Sequence, residues 1–206
     1  MKNKLIILGL CVFALVSCSK KIEKIITDIS KNRNTETSDN TYIQYTISEG
    51  RQYCDKRGIV AVKDSVLSFK VKFDSTAIYT TSDASNQLDI NKLVGFSDNN
   101  AIDHHEYSAR FGWRWSDHAL RLFAYVYNKG AMSFKEIGSV QIGAENSCSI
   151  KIEGDKYLFS LNQTEITMPR ASTTALAEGY KLWPYFGGDE SAPHAISIWI
   201  KEIVAK

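Results

Sequence analysis

The chain has 206 residues, of which 44% are hydrophobic, with 25 basic and 23 acidic side chains and a formal net charge of +2. That length supports one sizeable domain, and the near balance of charge gives no case for a nucleic-acid partner. Four cysteines and only three prolines occur, with no internal repeat and no low-complexity segment.

The chain opens MKNKLIILGLCVFALVSC. Lys2 and Lys4 form a short basic start, and Leu5 to Val16 is an apolar run too short for a membrane span and right for a secretory signal. Leu15-Val16-Ser17-Cys18 resembles the lipobox of bacterial lipoproteins. The resemblance implies cleavage after Ser17, so that 1–17 is the signal peptide and Cys18 becomes the lipidated N-terminus. Several acyl chains on one residue would hold the protein on a membrane. An ordinary signal peptide with an incidental cysteine is the competing reading. Cleavage would remove two lysines and no acid, leaving the mature chain neutral.

Residues 18–40 then form a tether, rich in lysine and ending in the polar tract Asn32 to Asn40. Ile22, Ile25, Ile26 and Ile29 have helical spacing, but the segment is short for an isolated helix, and a flexible leash is the preferred reading. The signal resembles those of Bacteroidota lipoproteins, in which acidic residues after the cysteine direct surface export. Here Ser19-Lys20-Lys21 follows instead. The expected location is the cell envelope, on the periplasmic side of the outer membrane, with the cell surface as the alternative.

Residues 41–206 read as a run of strands with no long helix. Tyr42 to Ser48 alternates weakly, and Gly58 to Val62 is short. Ser65 to Asp74 alternates clearly, with Leu67, Phe69, Val71 and Phe73 inward. Ala77 to Thr81 and Lys92 to Ser97 are expected short strands. Ala109 to Asn128 reads as two long strands joined by a turn at Ser116-Asp117, which pairs Trp115 with His118, Trp113 with Leu120, Phe111 with Leu122 and Ala109 with Ala124 on one apolar face. The opposite face carries Ser108, Arg110, Gly112 and Arg114, then Arg121, Phe123, Tyr125 and Tyr127. Ser139 to Ile142 is a short strand. Cys148 to Glu153 and Tyr157 to Leu161 form a hairpin about Gly154-Asp155. Gln163 to Met168, Gly179 to Phe186 and His194 to Val204 complete the set, the last with Ile196, Ile198 and Ile200 inward.

Short strands with one apolar and one decorated face argue for an all-β, two-sheet antiparallel β-sandwich, with a closed barrel as the main rival. The runs SVLSFKVKFD, SARFGWRW, LRLFAYVYNKG, IKIEGDKYLFSLN and ISIWIKEI resemble the concanavalin A-like jelly roll of lectins, glucanases and alginate-lyase-like enzymes. KLWPYFGGDESAPH (Lys181 to His194) resembles a signature of Bacteroidota lipoproteins. The superfamily resemblance implies that the concave sheet face binds glycan, so a polysaccharide or oligosaccharide is the expected partner.

Arg110, Arg114, Arg121, Tyr125 and Tyr127 are the ligand-binding candidates. Arginine forks bind carboxylate or sulfate oxygens, and tyrosines stack on sugar faces or bond hydroxyls. The bland alternative pairs these arginines with acids and buries the rings in a small second core. Tyr180, Trp183 and Tyr185 could extend the surface, although parity separates Tyr180 from the other two. Asp103-His104-His105-Glu106 could supply a general base or a metal ligand, against a plain polar turn. Adjacent histidines on a strand point apart, which argues against one shared metal. No metal or cofactor is expected. Asp189 and Glu190, after Gly187-Gly188, are the oxygen-rich positions that calcium would use if any is held. Cys54 and Cys148 lie in a compartment that permits a disulfide, with two unpaired thiols the preferred outcome.

Glucanases of the superfamily carry an acidic E-x-D-x-x-E cluster on one strand, which is missing here. The favoured function is therefore a non-catalytic, membrane-anchored, lectin-like module for anionic polysaccharide. A polysaccharide lyase is the alternative, with Arg110 and Arg114 neutralising a uronate and His104, His105, Tyr125 or Tyr185 taking its proton. The Gln-x-His strand and the longer Tyr/Lys/Asn motif of alginate-lyase-like enzymes are missing. A structural or protein-binding envelope module is the third reading.

Overall fold

A computed structural model describes residues 41–203. The signal, Cys18 and the tether lie outside the described residues. Among the described residues, no helix is long and apolar enough to cross a membrane.

Twelve strands run in chain order: β1 (Ile43–Ile47), β2 (Ala61–Asp64), β3 (Val66–Phe73), β4 (Asn91–Ser97), β5 (Tyr107–Ser116), β6 (Ala119–Asn128), β7 (Ala131–Val140), β8 (Asn146–Glu153), β9 (Lys156–Leu161), β10 (Thr164–Pro169), β11 (Ala177–Leu182) and β12 (Ile196–Ile203). They form two antiparallel six-stranded sheets, ordered β1-β12-β3-β8-β9-β10 and β2-β11-β4-β5-β6-β7.

The period-2 alternation sets which face each strand buries. Phe69, Val71, Phe73, Ile150, Phe159, Ile196, Ile198 and Ile200 point inward from the first sheet, and Ala109, Phe111, Trp113, Leu120, Leu122 and Ala124 from the second. Phe111 meets Phe69 and Phe159 edge-on at 5.5 and 5.3 Å, and Trp113 lies 5.4 Å from Phe73. These rings fill the gap between the sheets, and truncating one to alanine would cost about 3–5 kcal/mol. At one end a buried ion pair ties the sheets together. Asp98, just past β4, accepts from Arg170 Nε at 2.8 Å and from the Tyr157 hydroxyl at 2.7 Å. Burial pushes the Asp98 carboxyl up, but Arg170 and Tyr157 outweigh it and hold the group below its ordinary range.

Three expectations change. The β5–β6 turn is Asp117-His118, not Ser116-Asp117. Both residues have φ near +55° (51° and 58°), as a two-residue hairpin that follows strand twist requires. Register moves by two, so Trp115 faces Leu120, Trp113 faces Leu122 and Arg110 faces Tyr125. A two-residue shift preserves parity, so each side chain keeps its expected face. Ala77 to Thr81 is no strand. Asp74 caps a short 3-10 turn, Ser75–Ala77, by accepting from Thr76 N at 2.9 Å. The strand expected at Ser139 is the end of the ten-residue β7, an edge strand whose exposed side chains lack the apolar alternation of a core strand.

Candidate functional site

The outer face of the second sheet holds a groove of about 570 Å³. Its floor is built from β4, β5 and β6, and Arg110 is its centre. Gly95 makes room for that residue, since a Cβ there would come within 2.2 Å of the Arg110 Cβ and 2.3 Å of the Ala109 carbonyl. Register slips between Lys92 and Gly95, which bends β4 at this point. The Arg110 side chain therefore lies flat across its neighbour strand. Its Nη2 donates to Leu93 O at 2.9 Å and to Trp183 O at 2.6 Å.

Arg110 is only 6% exposed, and its Nε has no hydrogen-bond partner. Burial lowers its guanidinium to about 10. Among the described residues, no carboxylate lies within ion-pair distance of it. Buried charges are normally paired with an opposite charge, whereas Arg110 has two carbonyl partners and no acid.

Lys92 adds a second cation. Its Nζ donates to Gly187 O at 3.0 Å and sits 5.1 Å from the Tyr125 ring centroid. Burial, with Arg110 beside it, lowers its ammonium to about 8, while Asp89 opposes part of the change.

Aromatic rings make the walls. Tyr125 and Tyr127 come from β6, 5.8 Å apart. Tyr185 meets Tyr53 edge-on at 4.9 Å, and Arg57 covers the Tyr53 ring at 4.3 Å. Tyr180 donates its hydroxyl to Ile102 O at 2.9 Å and lies 3.4 Å from His104 Nδ1. Burial comes first among the causes that lower His104 to about 4, followed by the charges of His105 and Arg110. Ile59, at 97% exposure, stands at the mouth. None of the residues lining the groove is an aspartate or a glutamate.

Of the five ligand-binding candidates, Arg110, Tyr125 and Tyr127 line this groove and Arg114 and Arg121 do not. Arg114 stacks on Phe123 at 4.8 Å and donates to Leu88 O at 2.8 Å. Arg121 is paired with Glu136 at 3.0 Å and Asp117 at 3.2 Å. Both share the groove's sheet face but sit towards the hairpin end, where these partners absorb them. His104, His105 and Tyr185 do line the groove.

The two calcium candidates lie elsewhere in the same loop. The Glu190 carboxylate accepts from Ser82 N, Asp83 N and Asn86 Nδ2 at 2.7–2.9 Å, so its oxygens already close a loop. Asp189 is exposed and its backbone N donates to Asp89 Oδ2 at 3.3 Å. Cys54 and Cys148 are both buried free thiols.

Parity was expected to set Tyr180 apart from Trp183 and Tyr185, but all three line the groove. β11 ends at Leu182, so strand alternation no longer governs Trp183 and Tyr185, and Tyr185 pairs with Lys92 and Tyr53 through isolated bridges. Lys92, Arg57 and Tyr53 were not singled out from the sequence. Lys92 reaches Arg110 through the pairing of β4 with β5, while Tyr53 and Arg57 lie between β1 and β2, where Tyr53 bridges to Tyr185.

No family model and no curated protein matches the chain. Solved structures do. An alginate lyase superposes with a TM-score of 0.56 at 10% identity, over 82% of this chain and 75% of that one. A glycoside hydrolase family 16 endo-glucanase from Bacteroides ovatus gives 0.53 at 11% identity, over 81% of each chain. A non-specific endo-β-1,3(4)-glucanase of the same hydrolase family gives 0.52 at 8%, over 80% and 71%. The fold is the concanavalin A-like jelly roll. Identities this low establish the jelly-roll architecture alone, and the groove must be read from its own side chains.

Proposed function

We propose that the groove binds an acidic glycan, bearing uronate or sulfate groups, and does so without hydrolysing it. The observation that carries this reading is Arg110, a buried guanidinium with no acid partner, beside Lys92 and walled by tyrosines. A guanidinium fork and an ammonium supply charge-assisted bonds to carboxylate or sulfate, while tyrosine rings cover sugar faces and bond hydroxyls. Glycoside hydrolysis needs two carboxyl groups flanking the scissile bond. The groove lining offers none, in contrast to what the names of the hydrolase neighbours would suggest. The likeness of the fold to structures named for alginate and glucan chemistry supports a glycan as the ligand class. The lipobox-like Leu15 to Cys18 supports the second half of the proposal, a lipid-anchored protein of the cell envelope, and Cys18→Ser would abolish acyl labelling.

The test is calorimetry with a uronate oligosaccharide and a neutral glucan of equal length, at low and raised salt. Acidic ligand should bind, weaken with salt, and lose about tenfold to a hundredfold in affinity in Arg110→Met, as expected for a lost charge-assisted contact. Arg121→Ala should bind as wild type. Equal binding of the neutral glucan, or full affinity in Arg110→Met, would remove the proposal.

One arrangement favours a second reading, β-elimination. His104 and Tyr180 stand 3.4 Å apart in the same groove as Arg110, so a proton acceptor and a carboxylate-neutralising cation share one space. Release of unsaturated sugar, followed by its ultraviolet absorbance, and its loss in His104→Ala would turn binding into catalysis. Binding with no such product leaves the lectin-like reading in place.

A further inference from the structure

We infer that Asp103, His104 and His105 form a binding site for a transition-metal dication of the zinc class at the groove wall. Adjacent histidines diverge on a strand, but these two are on a turn. Glu106 N donates to Asp103 O at 3.0 Å, and His105 N donates to Asp103 Oδ1 at 2.9 Å, which fixes the turn's shape. The imidazole rings consequently lie side by side, with centroids 4.1 Å apart. One donor atom from each of the three residues lies within 4.8 Å of the other two. His105 Nδ1 and Asp103 Oδ1 are already 2.8 Å apart. Two ligand atoms on a tetrahedral zinc are about 3.3 Å apart, so small side-chain rotations would close the set.

The surroundings match a ligating imidazole. Tyr180 gives its one proton to the Ile102 carbonyl, so its oxygen is left to accept from His104. Such a contact holds a metal-binding ring in one orientation. The His105 ring is held edge-on by Tyr127 at 5.1 Å. Two imidazoles and one carboxylate suit zinc, nickel or copper, and three protein ligands leave an open position facing the groove. Arg110 and Lys92 oppose a dication there, whereas Asp103 offsets one charge. The site does not depend on the glycan reading, because the metal alone is the probe.

The experiment uses the full chain without a polyhistidine tag, its accessible thiols alkylated so that cysteine cannot compete. Zn²⁺ is titrated against a chromophoric chelator, and Co²⁺ supplies a spectrum sensitive to ligand number. Wild type should take up a single Zn²⁺, and the Co²⁺ complex should show the intense visible bands of four-coordinate nitrogen and oxygen ligation. His104→Ala and His105→Gln should each weaken binding by about tenfold or more and lose those bands. His105 is exposed, so His105→Gln keeps the test valid if His104→Ala fails to fold. No stoichiometric Zn²⁺ binding, or binding unchanged in both variants, would overturn the site.

Discussion

Lys92→Met offers the most direct handle on the groove's electrostatics. In the folded protein the Lys92 ammonium is lowered from 10.5 to about 8, first by burial and then by Arg110. Between these values the unfolded chain holds a proton that the folded chain has released, so stability rises with pH across that window. Below about pH 8 the lysine is charged in both states and the penalty is fully present. It amounts to about 3 kcal/mol at pH 7 and about 2 kcal/mol at pH 9. Methionine keeps the stem and removes the charge. Lys92→Met should therefore be more stable than wild type at pH 7, by about 3 kcal/mol less the bond to Gly187 O, and its advantage should shrink by about 1 kcal/mol by pH 9. Urea denaturation of both proteins at the two pH values measures this. The difference between them cancels other groups, including the buried tyrosines, whose ionisation in the unfolded chain begins nearer pH 10. An anion seated beside Lys92 would raise its pKa again. At pH 8–9, binding of an acidic oligosaccharide should take up protons, seen as a buffer-dependent enthalpy in wild type and not in Lys92→Met. A stability difference that stays constant from pH 7 to 9, with no proton uptake, would refute this account of Lys92.

Other outcomes follow from the same contacts. Asp98→Ala should cost about 3–5 kcal/mol by chemical denaturation, because it leaves Arg170 buried and unpaired. The Asp98 contribution in wild type should persist above its unfolded pKa and fade as pH falls through its lowered folded value. Gly95→Ala should cost about 1–3 kcal/mol through overpacking and should displace Arg110, lowering affinity for acidic glycan, whereas Gly138→Ala, open to solvent, should do neither. Alkylation of the folded protein should spare Cys54 and Cys148, and both should react once urea unfolds it, as peptide mapping would show.

The face of each core strand was legible because period-2 alternation is a local property. Phe69, Trp113 and Ile198 announce a buried face through their immediate neighbours alone. Register was legible less well, since Ser116, Asp117 and His118 are all credible turn formers and only backbone twist chooses between them. Only the end of β7 was legible, because most of this edge strand is exposed and Ile137 alone is buried along it. The Arg110–Tyr125 half of the groove could be read from one hairpin. In its other half, Tyr185 could be named as a candidate but not placed, and Lys92 and Tyr53 could not be named at all, since these residues come from distant stretches and meet through isolated bridges. The separation of Arg110 from Arg114 and Arg121 was equally hidden. All three share a sheet face, and what distinguishes them is whether Glu136, Asp117 or Leu88 O reaches them first. Parity is lost where β11 ends at Leu182, before Trp183, and no residue type marks that end in the sequence.

Arg110 is fastened by two main-chain oxygens, one from β4 and one from the segment after β11, before any ligand arrives. Its rotational freedom is thus lost during folding, and docking demands no further loss from it. A fixed fork cannot chase a misplaced oxygen, so ligands of equal total charge but different spacing should be told apart. The groove would then act as a ruler for where negative groups fall along a chain, and a loose polyanion of arbitrary sequence should make a poor substitute.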